Sequence, residues 1–521
     1  MQPTRVLIIG GGATGTGLAR DLSLRGIPCV LVEKLDINAG ASGGNHGLLH
    51  SGARYVGSDT EAAKECRIEG SILKKLAAHC IDDTGGLFVA VAGDDENYIA
   101  DFPSYCARCG IPALALDIQA AREMEPSLSG EVIAAYRVPD ASIDPFRLSL
   151  ENISHARHLG CTFLKNTEVT EFLLHKGRIQ AARLRNQYTG EESLIEAEQV
   201  VSASGAWAKK IGKLAGVRIG MIYSKGTLLV TQNRIARRVI NRLRPATDGD
   251  ILVPGGTVSI LGTTSVRIES PDIIMPTVEE VDLIIDEGAA MVPVLATSRY
   301  IRSYCGVRPL LQCAAVEDDR QVSRGFALID HRKDGLENFI TITGGKLSTF
   351  RLMAEKTADL LCRRLQVSVS CRTKTEPLPA TQGGQWTEPG LSPRLWMEKR
   401  HPDDCLLCEC EMVPASVVEH LYQSISDEGM TPDIHAIALR SRIGKGPCQG
   451  AFCSARVAAH LYGLGKLNDD EGIRQLKHFL SERWRGQHSL LWNRSLAQSE
   501  LMEAIHCGTF CLEQSEEENP C

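Results

Sequence analysis

Residues 6–9 form an unbroken apolar run, residues 13–24 repeat apolar positions at helical spacing, and residues 30–33 open with a second apolar run. Continuous apolar stretches mark strands buried on both faces, so the chain begins with a strand–helix–strand unit of a parallel sheet. Residues 199–203 read as another short buried strand, closed by Gly205. Residues 339–342 are a third, followed by Gly344-Gly345 and a helical pattern from Leu347 onward. Segments 251–253 and 257–262 alternate instead, which suits an antiparallel sheet with one polar face. Near the C-terminal third the texture changes. Residues 372–400 hold Pro377, Pro379, Pro389 and Pro393 with Gly383, Gly384 and Gly390, a mixture hostile to helices and central strands, so a linker is expected. Residues 401–465 are Cys-rich and mostly helical, as in 417–424 and 451–461, and 466–521 form a helical tail with a frayed acidic run at 513–519.

The expected fold is therefore α/β (α+β overall): a doubly wound dinucleotide-binding domain within residues 1–371, with an inserted antiparallel-sheet substrate part. Its cofactor-binding pieces are expected at about 1–60, 145–215 and 320–371, followed by the linker, the Cys-rich domain and the tail. With 521 residues, 43% hydrophobic and 23% charged, the chain has an ordinary globular make-up. A net charge of −7 argues against a nucleic-acid protein, which needs a basic face. No apolar run approaches the ~20 residues of a membrane span. The start passes directly into the first strand, leaving no room for a signal peptide, so a cytoplasmic protein is expected. Eighteen cysteines without such a leader read mostly as small buried apolar residues, apart from a concentration between Cys405 and Cys453.

Gly10-Gly11-Gly12-Ala13-Thr14-Gly15 lies between the first strand and the first helix. Gly10 permits the tight turn, Gly12 lets backbone approach a pyrophosphate, and Gly15 lets the helix lie close to the strand. Phosphates then face the free N–H groups of a helix N-terminus. Glu33, ending the second strand, is placed to accept hydrogen bonds from a ribose, and an acid there disfavours a 2′-phosphate. The motif suits NAD or FAD alike. A second small-residue loop, 39–47, containing Ser42, Asn45 and His46, favours close approach of a flavin. So does the late Gly344-Gly345-Lys346-Leu347, which offers another helix N-terminus to an electron-accepting ring edge. One cofactor contacted from both ends of a long chain suits FAD better.

Three further segments accompany these motifs and 201–207: Leu49-His50-Ser51-Gly52-Ala53-Arg54-Tyr55, Gly306-Val307-Arg308-Pro309-Leu310 and 344–351. As a set they resemble the FAD-dependent glycerol-3-phosphate dehydrogenase family of the D-amino-acid-oxidase-like superfamily, over nearly the whole chain. The resemblance implies oxidation of sn-glycerol 3-phosphate to dihydroxyacetone phosphate, with hydride transfer to FAD. It also implies electron exit to a membrane quinone through two partners, a second flavin-related subunit plus a membrane-bound iron–sulfur subunit. Those partners would hold the chain peripherally on the cytoplasmic side of the inner membrane. A dianionic phosphate needs cations, and Arg54, Arg308 and Lys346 are the candidates, with Tyr55 beside them. The resemblance assigns the phosphate clamp most clearly to Arg308. Loss of the hydroxyl proton calls for a base, for which His50 and His46 are the nearest residues; Lys346, or Arg308 acting through water, are alternatives. Two other readings stay open: a flavin oxidase of 2-hydroxy or amino acids, with Tyr55 and Tyr304 helping to clamp a carboxylate, and a non-catalytic electron-transfer scaffold.

Cys408, Cys410, Cys448 and Cys453 form two close pairs. Four thiols in so small a segment point to a metal centre, because the segment is expected to lack a core of its own. Gly444, Gly446 and Gly450 would let backbone N–H groups approach the sulfurs. The spacing departs from common zinc patterns and resembles the bacterioferritin-associated-ferredoxin-like 2Fe–2S domain, with zinc or plain thiols as alternatives. A one-electron centre beside a flavin would act as a step-down relay. Finally, Arg234, Arg237, Arg238, Arg242 and Arg244 sit in a helical-looking segment, read as a solvated helix face, with a membrane or partner-docking surface as the alternative.

Overall fold

The opening apolar run is the strand Thr4–Ile9, with Val6, Leu7 and Ile8 fully buried. It pairs in parallel with Cys29–Val32 on one side and Glu192–Ser202 on the other. Thr162–Leu164 and Phe339–Gly344 extend this parallel sheet at its two ends. The chain is described from a computed structural model covering residues 3–311, 325–399, 401–468 and 470–513. Helices Ala13–Leu24, Pro145–His158 and Phe350–Leu365 cover one face of the sheet. The other face is covered by the antiparallel ribbon of Thr167–His175 and Arg178–Asn186 with the short helix Ala208–Leu214. Thus the parallel strands are apolar throughout, as burial on both faces requires.

A second, nine-stranded sheet carries the alternating segments. Ile251–Gly255 and Val258–Gly262 form an antiparallel hairpin within it. Its longest pairing joins Met221–Thr231 to Tyr300–Leu311, with Ser224 opposite Arg308. The basic 234–244 segment belongs to this sheet through Val239–Arg242 and is not a helix. Arg242 and Arg244 turn inward to pair with Asp94 and Asp250, so carboxylates, not solvent, decide their placement.

Within the expected 372–400 linker, residues 372–399 are a packed strap rather than an open connection. Two helices form there, Gln382–Gln385 and Leu391–Lys399. Pro393 falls in the first turn of the second, where its missing N–H has no intrahelical partner to lose. The strap is fastened by Arg20 Nη2 to the Glu376 carbonyl (2.9 Å), Leu378 N to the Leu76 carbonyl (2.7 Å) and Thr381 N to Glu151 (2.8 Å).

The Cys-rich segment also departs from expectation, because it has a substantial apolar core. Val418, Leu421, Ile437, Val457 and Leu461 are fully buried, and their cluster is continuous with the helices on the parallel sheet. Helix Glu471–Arg485 of the tail supplies Phe479 to the same core. Lys165 and Arg440 bridge Asp36 and Asp433, joining the segment to the sheet domain through buried ion pairs. A metal is therefore not needed to hold this fold. Of the acidic 513–519 run, only Glu513 is among the described residues. No helix among the described residues is long and apolar enough to cross a membrane.

Candidate functional site

The two sheets and the Cys-rich module enclose one cavity of about 2580 Å³. Its floor is the glycine turn. Gly10 has φ +114°, and a Cβ on Gly15 would lie 1.9 Å from the Gly10 carbonyl oxygen, so neither position accepts a larger residue. A Cβ on Gly12 would lie 2.9 Å from Ser42 Oγ, and that hydroxyl accepts the Ala13 N–H (3.0 Å) at the helix N-terminus. Glu33 accepts the Gly11 N–H through Oε2 (2.7 Å) and the Leu35 N–H through Oε1 (3.0 Å). Each carboxylate oxygen retains a lone pair for a ribose hydroxyl. Burial pushes the Glu33 carboxyl up, opposed by those two N–H groups.

The 39–47 loop crosses the cavity wall. Asn45 donates to the carbonyls of Ala41 and Ser42 and accepts from Gly47 N, so its side chain shapes the loop that lines the cavity. Its carbonyl takes the Tyr304 hydroxyl (2.8 Å). Gly205 lies at φ +53° against the neighbouring strand, where its carbonyl accepts from Thr343. Gly344 and Gly345 also have positive φ, +82° and +73°, and they turn the chain so that Lys346 and Leu347 line the cavity.

The predicted substrate residues converge. Lys346 Nζ lies 5.0 Å from the centre of the Tyr55 ring. The Tyr55 ring is 5.2 Å from that of His50, which is 6.0 Å from that of His46. Both imidazoles are held neutral. Burial, with Arg308 and Arg54 nearby, pushes His46 down to about 3; burial, with His46, Lys346 and Arg54, pushes His50 well below its ordinary value. His46 Nδ1 accepts the Leu48 N–H (3.3 Å). Arg308 projects from its strand over Gly226, where a Cβ would stand 2.6 Å from Nη2. It donates to Ser224 Oγ (3.3 Å), the Thr264 carbonyl (3.0 Å) and Thr263 Oγ1. Arg54 donates to Asp250 (2.5 Å) and to the Arg242 carbonyl (3.3 Å), and Asp250 is shared with Arg244.

These supporting residues escaped the sequence reading. Asp250, Ser224, Thr263, Thr264 and Gly226 fix the two arginines from the antiparallel sheet. The hydroxyl run Thr263-Thr264-Ser265 at a strand end was the available signal.

The four predicted thiols also come together, as one hydrogen-bonded group. Cys453 is bonded to both Cys408 and Cys448, and Cys410 to Cys448. Those contacts, with Gly450 and Phe452 N–H groups, hold Cys448 down to about 5; the Cys453 contact and the Glu411 N–H lower Cys408, while Cys453 is pushed up. No three His, Cys, Asp or Glu side chains among the described residues are spaced to hold a metal ion. The donor chemistry, four thiols gathered with backbone N–H groups around them, suits a soft metal centre.

The FAD dependent oxidoreductase family matches residues 5–360. Over 99% of its length the chain is 41% identical to the A subunit of the anaerobic glycerol-3-phosphate dehydrogenase of Escherichia coli (strain K12), spanning 98% of that protein. It is 38% identical to the A1 subunit of the anaerobic glycerol-3-phosphate dehydrogenase of Haloferax volcanii, over 97% of this chain and 90% of that one. Among solved structures, the glycerol-3-phosphate dehydrogenase from Bacillus halodurans complexed with FAD superposes with a TM-score of 0.63 at 21% identity, covering 95% of this chain and 97% of that one. L-alpha-glycerophosphate oxidase from Mycoplasma pneumoniae superposes with a TM-score of 0.58 at 18% identity, over 73% of this chain and 100% of that one. Both likenesses speak to the fold.

Proposed function

The chain belongs to the FAD dependent oxidoreductase family and, within it, to the anaerobic glycerol-3-phosphate dehydrogenase catalytic chains, and from that premise we propose that it oxidises sn-glycerol 3-phosphate to dihydroxyacetone phosphate. The observation that carries the reading is the meeting of anchored Arg308 with neutral His50 and Lys346 in the cavity that the glycine turn opens. When bound, FAD supplies the hydride acceptor. Gly10, Gly12 and Gly15 with the Ala13 helix end suit its pyrophosphate, Glu33 its ribose, and Gly205, Gly344, Gly345 and Leu347 the approach of its ring system. Ser42 and His46 line the same wall, and Asn45 keeps that loop in shape.

Arg308 grips the substrate phosphate through its planar guanidinium, and Arg54 and Lys346 add charge to the same pocket. Hydrogen bonds to Ser224, Thr263 and Thr264 hold Arg308 in place before substrate arrives, so little ordering is required on binding. His50, neutral at physiological pH, takes the proton of the secondary hydroxyl, and the Tyr55 ring lies beside both it and Lys346. Cys408, Cys410, Cys448 and Cys453 would hold a 2Fe–2S cluster, which carries electrons singly. Partner subunits, a second flavin-related one and a membrane-bound iron–sulfur one, would pass electrons on to quinone and would hold the chain peripherally at the inner face of the membrane.

Anaerobic addition of glycerol 3-phosphate should bleach the flavin band. Arg308→Ala removes charged hydrogen bonds worth about 1.5–3 kcal/mol each. The half-saturating substrate concentration should rise roughly a hundredfold or more, with flavin content unchanged. Equal loss of flavin and of substrate response would sink the phosphate-clamp assignment.

A further inference from the structure

At the end of the cavity away from Arg308, three cations from three elements face one another. Arg302 comes from strand Tyr300–Leu311, Lys445 from the loop before Cys448, and Arg483 from helix Glu471–Arg485. None has a carboxylate at ion-pair distance among the described residues. Glu482 acts on Arg302 and Arg483 from beyond that distance while pairing with Arg485 (3.1 Å), and Asp144 and Glu411 act likewise on Lys445. Arg302 Nε is buried without any hydrogen-bond partner. Cations gathered out of water with no acid paired to them favour a further negative charge close by.

Arg483 is seated with some precision. Its guanidinium stacks on Phe479 (5.0 Å), and Phe479 fills the space left by Gly444 and Gly450, where a Cβ would come within 2.6 Å and 2.5 Å of the ring. Arg483 Nη1 donates to Gln449 Oε1 (3.4 Å), the residue after Cys448. The helix that carries it is fastened to the substrate sheet, since Ser303 donates to the Gly486 carbonyl through both N (2.7 Å) and Oγ (3.0 Å). Burial and the nearby Arg302 push the guanidinium down, while Cys453, Glu482 and Cys448 push it up, so the thiol group supplies part of the negative charge that Arg483 feels. Arg483 thus stands between the thiols and the cavity.

We propose that Arg483, backed by Lys445 and Arg302, is the counter-charge of the cysteine centre, a positioning residue that raises the centre's affinity for the electron arriving from the flavin side. This rests on the 2Fe–2S reading above. The reduced centre carries one more negative charge than the oxidised one, so a fixed cation favours reduction, and Arg483 lies on the cavity side, where the electron enters. Its removal leaves the substrate clamp and the glycine turn untouched.

The test is an EPR-monitored redox titration of the full-length, flavin- and iron-loaded protein. Arg483→Gln should shift the one-electron equilibrium of the centre at least tenfold toward oxidation, which is about 59 mV. Arg483→Lys should recover most of that shift, and flavin bleaching by substrate should proceed as in the parent. A potential for Arg483→Gln within threefold of the parent's equilibrium overturns the proposal while leaving the cluster reading intact. Should Arg483→Gln fail to fold, Lys445→Gln tests the same field: a smaller shift of the same sign supports the proposal and no shift overturns it. Parent protein that binds no iron overturns the proposal and the cluster reading together.

Discussion

The two ends of the cavity treat their cations in opposite ways. At the substrate end, Arg54 is held by Asp250 and Arg308 by Ser224, Thr263 and Thr264. At the cysteine end, Arg302, Lys445 and Arg483 face each other with no carboxylate within ion-pair distance among the described residues, and burial pushes Lys445 down to about 8. On the proposed reading, the difference follows from the lifetime of the anion each end would serve. A substrate phosphate comes and goes, so its cations must be fixed while the pocket is empty. A permanent cluster at the cysteine end would need no stand-in acid, because its own thiolates would complete the balance. Preorganisation at one end and dependence on a resident charge at the other are two solutions to the same desolvation cost.

The sharpest way to break this comparison is Cys448→Ser. Because the module has a full apolar core continuous with the sheet domain, loss of one thiol should leave the chain folded. Substrate should still bleach the flavin at the parent rate in stopped flow, while quinone reduction in the presence of the partner subunits should fall to background. Loss of flavin bleaching as well would mean that the two ends are not separable.

Asp250→Asn tests the substrate end with a smaller effect. Asp250 is nearly fully buried and shared by Arg54 and Arg244, and those two arginines hold its carboxyl below its usual range against the pull of burial. Breaking a buried pair by neutralising one member costs about 3–5 kcal/mol. Denaturant unfolding should report a loss of that order, and the half-saturating glycerol 3-phosphate concentration should rise as Arg54 loses its anchor. Arg244 retains Glu287 (2.6 Å), which keeps the loss from spreading through the sheet. A variant as stable as the parent would mean that Arg54 is held by its backbone contact to Arg242 alone.

Much of this arrangement was legible in the chain. The parallel strands, the glycine turn and the 344–351 motif announce themselves because burial on both faces and close backbone approach leave few alternatives to apolar runs and glycine. Arg54, Arg308, His50 and Lys346 were identifiable as candidates because they sit in glycine-bounded motifs at element ends. Their anchors were not. Asp250, Ser224 and Thr264 come from distant strands, and no local pattern records that a given acid or hydroxyl will face a given arginine. The strap at 372–400 was misread for a related reason: proline count describes composition, whereas Pro393 is tolerated because of its place in a first turn. The Cys-rich module was expected to need a metal for folding, since counting its own residues misses Phe479 and the apolar face of the sheet domain against which it packs.

The smallest expected effect concerns His50, and it separates the two ends by pH. His50 is 9% exposed, and burial with His46, Lys346 and Arg54 keeps it neutral well below its ordinary range. In the unfolded chain the same imidazole takes up a proton near pH 6.5. Below that pH the unfolded state therefore binds the extra proton and the folded state does not, so stability falls as pH falls. One such group contributes a slope of at most about 1.4 kcal/mol per pH unit. Flavin-loaded parent protein should lose stability between pH 7 and pH 5, and His50→Gln should lose it less steeply. The slope should flatten without vanishing, because His46 is held neutral by the same causes and continues to contribute. Comparing slopes removes any constant offset from the substitution itself. Equal slopes in the two proteins would mean that His50 titrates alike in the folded and unfolded chains, so that burial does not hold it neutral below its ordinary range.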